Sequence, residues 1–267
     1  MNRTGVSLGG GSLRGVAHIG VLKELMDNGI EITHLAGTSA GAVVGGLFAC
    51  GMDPEIMHRV VQDLPVRRHI DIGFNRKGLI KGDRIYQSLL KWTDGKYFSD
   101  LSIPFAVICV DLISGEMVVI DSGEVALAIR ASIAIPGVFS PVEMGKRLLV
   151  DGYILNNNPA DIVREMGAEH VTSVRVKGSI IHQPSNLFSV LNRYIDIASQ
   201  KNTDRCLREN ADILIDIDLE DIGRFETKSL LKVIELGQLE AKKVLTQHVH
   251  EEQNKVVYLD QWLQKVR

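Results

Sequence analysis

Ser39 stands in Gly37-Thr38-Ser39-Ala40-Gly41, with glycine two residues away on each side. This spacing lets a chain hold a nucleophilic hydroxyl on a tight strand-to-helix turn. A β-carbon at either flanking position would crowd such a turn. The neighbouring residues agree, since Ile32 to Ala36 reads as a short strand and Ala40 to Cys50 as a small-residue helix stopped by Gly51. The pentapeptide by itself also suits an ordinary tight turn.

A second cluster, Gly9-Gly10-Gly11-Ser12-Leu13-Arg14-Gly15, lies between a first strand over Arg3 to Leu8 and a first helix over Gly15 to Asn28. A glycine-rich loop at a helix start leaves backbone N–H groups free to bind a phosphate or steady an oxyanion. A P-loop would require Lys and Ser or Thr directly after the last glycine, where Val16-Ala17 stand. The dinucleotide fingerprint fails as well, because Ser12 or Arg14 occupies a required glycine position in either register. A purely structural loop that lets the helix pack on the sheet is the other reading. Two parallel strand-helix units end at one sheet edge, so Ser39 and this loop should face each other, with nucleophile and oxyanion donors side by side.

The serine then needs a base. Asp151 follows the apolar run Leu148-Leu149-Val150 and precedes Gly152, where a strand would deliver a side chain to the sheet edge; Asp-Gly is equally common in plain turns. A carboxyl of ordinary pKa is a weak base, so burial or position must compensate. Eight histidines leave a Ser-His-Asp arrangement open. His18 and His34 read as packed residues, His248 and His250 as cations near the end of the last helix, and His170 or His182 would be the triad candidates.

Alternating strands and helices predict an α/β fold with a mostly parallel sheet. Asp53-Pro54 starts a helix, Leu64 to Lys81 reads as a long connection able to cover a pocket, and Asp83 to Trp92 as a helix. Phe105 to Asp111 and Met117 to Asp121 form a predicted hairpin about Ser114-Gly115; Glu124 to Ser132 is a helix, and Val142 to Val150 a second hairpin turned at Gly145-Lys146. Asn158-Pro159 should cap a helix ending at Gly167. Strands over His170 to Val176 and Ile213 to Ile217 flank a helix from Leu187 to Arg208, and Ser229 to Thr246 makes a last helix.

The 267 residues, 45% hydrophobic, fit one domain with a substantial core. A net charge of -3 argues against nucleic acid, and there is no basic run of the kind that holds proteins on anionic membranes. Cys50, Cys109 and Cys206 form no C-x-x-C pair and read as buried residues in a reducing compartment. The first residues run straight into the glycine cluster with no apolar leader, and Leu35 to Met52 carries too many glycines for a span, so a cytoplasmic protein with transient membrane contact is expected.

Taken together, these residues resemble the patatin-like phospholipase family, including its bacterial branch related to neuropathy target esterase. The likeness runs over about 6–176 and rests on the glycine loop, the Ser39 pentapeptide, Ala131-Ser132-Ile133-Ala134-Ile135-Pro136-Gly137-Val138-Phe139, and Asp151-Gly152, in that order. The resemblance implies a single patatin-like domain over 1–267 with a three-layer α/β/α sandwich, and a Ser-Asp dyad without histidine, metal or cofactor. Ser39 would be the nucleophile, Asp151 the base, and the N–H groups of Gly10, Gly11 and Ser12 the oxyanion hole, with Arg14 holding the loop or meeting an anionic head group. Gly37 and Gly41 would frame the nucleophile turn. Ser12 and Tyr153 depart from the commoner pattern, which has glycine at the first and glycine or alanine at the second.

The implied activity is hydrolysis of a lipid acyl ester through an acyl-enzyme. Alternatives are an esterase or thioesterase acting on small soluble substrates, and a regulatory protein that keeps the fold without turnover. An acyl channel would be lined by Leu64, Phe74, Leu79 and Ile80, or by Leu187, Phe188 and Leu191.

Overall fold

The computed structural model describes residues 3–63, 72–75, 78–178 and 186–266. Ten strands and eight helices are assigned in it. Strands β1 (Thr4–Leu8) and β2 (Ile32–Thr38) pair in parallel and are followed by α1 (Ala17–Asp27) and α2 (Ala40–Ala49). Next come α3 (Pro54–Gln62), the small hairpin β3 (Ile72–Asn75) and β4 (Gly78–Ile80), and α4 (Asp83–Trp92). Strands β5 (Phe105–Asp111) and β6 (Met117–Ile120), α5 (Val125–Ser132), then β7 (Val142–Met144) and β8 (Arg147–Asp151) fill the middle of the chain. The last part holds α6 (Ala160–Glu165), β9 (His170–Gly178), α7 (Leu187–Asn210), β10 (Ile213–Leu219) and α8 (Leu230–Val266).

The main sheet runs β10-β9-β1-β2-β5-β8-β7, with β6 paired to β5. Its first five strands are parallel, and β6, β7 and β8 are antiparallel. Alternation along β5 divides the core in two. Val107 and Cys109 join the cluster built with α1, α2, α5 and α8, while Ala106 and Ile108 join the one built with α6, against which Cys206 of α7 packs. A strand buried on both faces reads as a continuous apolar run, as Phe105 to Val110 does.

The expected α/β architecture, both hairpins and most helix starts are present. Three local expectations change. Asn158 does not cap α6: its Nδ2 donates to the Val174 carbonyl at 2.8 Å, tying the helix start to β9 instead. The last helix continues to Val266, so His248 lies within it, and the side chain of His250 is outside the described residues. The predicted connection over Leu64 to Lys81 contains the β3-β4 hairpin; 64–71 and 76–77 are outside the described residues. Of the cysteines, Cys50 and Cys109 are buried, and Cys206 is half-buried with its thiol directed at the Asn158 carbonyl.

Candidate active site

The register of β5 explains how residues far apart in the chain meet. Its early residues pair with β2 in parallel, ending at Thr38 opposite Ile108. Its later residues pair with antiparallel β8, beginning at Asp151 opposite Cys109. Because β6 pairs with 107–110 along one edge, both β2 and β8 must occupy the other. The two strands therefore end head-on along one edge of β5, at adjacent register positions, where β8 ends in Asp151 and Ser39 directly follows the end of β2. Asp151 reaches the site from the opposite direction to Ser39, not at the end of another parallel strand.

Ser39 sits at the N-cap of α2 with φ 54° and ψ -121°, a backbone region that L-residues rarely adopt. The flanking glycines make room for this elbow through close approach, since neither has a positive φ. A Cβ on Gly41 would stand 2.0 Å from the Leu8 carbonyl oxygen, and one on Gly37 2.5 Å from that of Gly41. The segment Ala131 to Phe139 clamps both strand ends. The Ser39 N–H donates to Ser132 Oγ at 2.8 Å, which in turn donates to the Ile108 carbonyl at 2.7 Å. The Asp151 N–H donates to the Ala134 carbonyl at 3.2 Å. Thr38 Oγ1 completes the frame by donating to the Asn156 carbonyl at 2.8 Å.

Asp151 is 7% exposed and Ser39 4%. Burial pushes the Asp151 carboxyl up to about 6, while the neighbouring Ser39 hydroxyl and the Tyr153 N–H, which donates to Oδ1 at 2.9 Å, pull against that rise. Withdrawal from water disfavours the charged form, and donors restore part of it. The two buried side chains thus pair a serine hydroxyl with a neighbouring carboxyl of raised basicity.

The glycine loop passes alongside. Gly10 differs from expectation: its N–H donates to Asn157 Oδ1 at 2.8 Å, anchoring the loop to the segment after Asp151. Among the described residues the N–H groups of Gly11 and Ser12 have no such partner, and both residues line the cleft containing Ser39. Ser12 has φ 54°, which explains why glycine is common at that place: an L-residue there bears the strain of the left-handed region. His18, fully buried, places Nε2 2.7 Å from the Gly9 carbonyl oxygen; burial pushes its pKa down to about 4, so the neutral ring supports the loop from behind.

Arg14 is buried in the wall behind the loop, its Nη1 3.4 Å from the Ile222 carbonyl oxygen. Burial and the neighbouring Arg224 lower its pKa to about 10. Tyr153 forms another wall, its hydroxyl donating to Asp196 Oδ1 at 3.0 Å, while Arg224 pairs with Asp196 Oδ2 at 2.5 Å.

The cleft above these groups measures about 670 Å³ and has apolar walls from Val110, Leu112, Ile135, Val150, Ile154 and Ile195. Among the described residues, none of those in the two predicted channel sets lines this cleft. Leu187 and Leu191 are exposed on α7, Ile80 is half-buried elsewhere, and the side chains of Leu64, Phe74, Leu79 and Phe188 are outside the described residues. Ser132, Asn157 and Asp196 escaped the sequence reading. The polar triplet Asn156-Asn157-Asn158, five residues after Asp151, would have marked Asn157, and Ser132 lies in the segment Ala131 to Phe139 without its role being read.

A family model for patatin-like phospholipases matches residues 6–164. An uncharacterized NTE family protein of Mycobacterium tuberculosis (strain H37Rv) is 36% identical over 179 residues, covering 66% of this chain and 50% of that protein. A patatin-like phospholipase domain-containing protein of Caenorhabditis elegans is 32% identical over 195 residues, covering 70% of this chain and 14% of that one. The chain thus spans half or less of the length of these relatives. Among solved structures, VipD from Legionella pneumophila superposes with a TM-score of 0.67 over 92% of this chain and 67% of its own, at 15% identity, a likeness of fold.

Proposed function

Because this chain belongs to the patatin-like phospholipase family, we propose that it is a serine acyl hydrolase of lipid esters, with Ser39 as nucleophile and Asp151 as its base. The observation that supports this reading is the head-on meeting of β2 and β8, which brings the strand ends carrying Ser39 and the buried Asp151 together. Asp151 takes the hydroxyl proton as Oγ attacks the ester carbonyl, and the tetrahedral oxyanion is held by the N–H groups of Gly11 and Ser12. The proton then passes from Asp151 to the departing alkoxide, leaving an acyl-enzyme. Water, deprotonated by the same carboxylate, attacks that ester; the tetrahedral adduct collapses to the free acid, and the proton returns to Ser39. Gly10 serves to fix the loop through Asn157, and Arg14 backs it from the wall. No metal or cofactor takes part in this scheme. The apolar walls suit an acyl chain, which favours a lipid ester over a small polar one.

The test is labelling with a fluorophosphonate probe, mapping of the adduct, and hydrolysis of esters of increasing acyl length by wild type, Ser39→Ala and Asp151→Asn. An adduct on Ser39, loss of turnover in both variants and a preference for longer chains are expected. An unlabelled Ser39 sinks the hydrolase reading; full activity in Asp151→Asn sinks the dyad.

A further inference from the structure

Helix α7 is built inside out. Its cleft-facing side is polar: Asp196 accepts from Tyr153 and pairs with Arg224, Asp204 pairs with Arg175 at 2.7 Å, and Ser199 and Thr203 are buried. Its outer side carries Leu187 (75% exposed), Val190, Leu191, Tyr194 (69%) and Ile197. At 3.6 residues per turn these five fall within an arc of about 120°. A surface helix ordinarily turns such a stripe toward the core. A contiguous exposed apolar stripe of this kind marks a surface that meets something else.

We propose that the outer face of α7 docks the protein on an anionic lipid bilayer. Two observations select that occupant. First, the same face continues toward the C-terminal end of the helix with exposed Lys201, Arg205 and Arg208 against a single exposed carboxylate, Glu209; among the described residues none of the three cations has an ion-pair partner. Apolar and aromatic side chains beside unpaired cations match the acyl boundary and the charged head groups of such a surface. A second copy of the face fits it poorly, because pairing in one direction opposes cation to cation and in the other buries cations on apolar side chains. Second, the helix that carries this face also walls the Ser39 cleft. Asn192, Arg193 and Ile195 of α7 line that cleft, and so does Leu112, whose neighbour Ile113 stands 70% exposed on the β5-β6 turn. The functional meaning of docking rests on the acyl-hydrolase reading, since it would deliver a bilayer lipid to the cleft.

Flotation of the full chain with vesicles of phosphatidylcholine, with and without about one third phosphatidylglycerol, separates the two ideas. Wild type is expected to float with the anionic vesicles and at least about tenfold less with neutral ones. Leu191→Glu with Tyr194→Glu, and separately Lys201→Glu with Arg205→Glu, should each lose at least about tenfold of the bound fraction. All these positions are exposed, so melting curves and hydrolysis of soluble p-nitrophenyl butyrate should stay unchanged. Wild type failing to float with anionic vesicles, or either double variant floating like wild type, overturns the proposal. So does a wild-type dimer in light scattering that becomes monomeric in Leu191→Glu with Tyr194→Glu, because a second copy would then be the occupant. Vesicle binding in the expected pattern without any ester hydrolysis leaves docking standing and removes the hydrolase reading; hydrolysis without the binding pattern does the reverse.

Discussion

The basicity of Asp151 sets a pH profile that a dyad with an ordinary carboxylate would not show. The perturbation is pH alone, between 5 and 8, with p-nitrophenyl butyrate as a soluble substrate that needs no bilayer. With its pKa raised by burial to about 6, Asp151 is ionised in about one molecule in eleven at pH 5 and in about ten of eleven at pH 7. Since only the ionised form can take the Ser39 proton, kcat/KM should rise about tenfold over that interval and level off above pH 7. A carboxyl at the ordinary 3.8 would already be more than about nine-tenths ionised at pH 5, and the profile would be nearly flat. His18 adds no second inflection in this window, because its pKa lies at about 4. Circular dichroism at each pH separates titration from unfolding. A flat profile between pH 5 and 7 in a folded enzyme would refute the burial argument, and a midpoint that moved when His170 or His182 was replaced would refute the dyad.

The same raised pKa makes Asp151 a liability for stability. The fold prefers the protonated acid, so stability present below pH 3.8 is lost as pH rises through 6, at a cost of about 3 kcal/mol. Asp151→Asn should therefore be more stable than wild type in denaturant unfolding at pH 8, by up to that free energy, and equally stable near pH 4, while turnover falls on the order of 10²–10⁴-fold. Ser12→Gly removes an L-residue from φ 54° and should stabilise the protein by about 0.5–1 kcal/mol in thermal melts with kcat within about twofold of wild type. A large loss of kcat would show that the Ser12 side chain does more than carry its N–H. Ser132→Ala leaves the buried Ser39 N–H without its acceptor and should cost about 1–3 kcal/mol, with kcat reduced more than KM is raised as the elbow loosens. Unchanged kinetics in a folded Ser132→Ala protein would mean that the elbow is held by the backbone alone.

Ser39 and the glycine loop were legible in the sequence because their geometry is local. A strand, a tight turn and a helix start lie within ten residues, and the steric demand for Gly37 and Gly41 follows from the turn itself. The central strands were legible for a similar reason, since residues buried on both faces of a parallel sheet leave an uninterrupted apolar run. Asp151 was legible as a residue at a strand end, and the resemblance implied Ser39 as its partner, but the strand pairing that brings their strand ends together was not legible. Whether a carboxylate is a surface turn residue or a base depends on which edge of β5 accepts β8, and that pairing joins segments far from Ser39 in the chain. The occupied N–H of Gly10 is another tertiary result, imposed by an asparagine that only the fold brings back to the loop. So is the inverted α7, where the apolar periodicity correctly marked a helix but its outward direction was set by Tyr153, Arg175 and Arg224 binding the polar side. Local sterics determined the elements and the elbow; long-range strand register and buried charge pairing decided which side chains share a site.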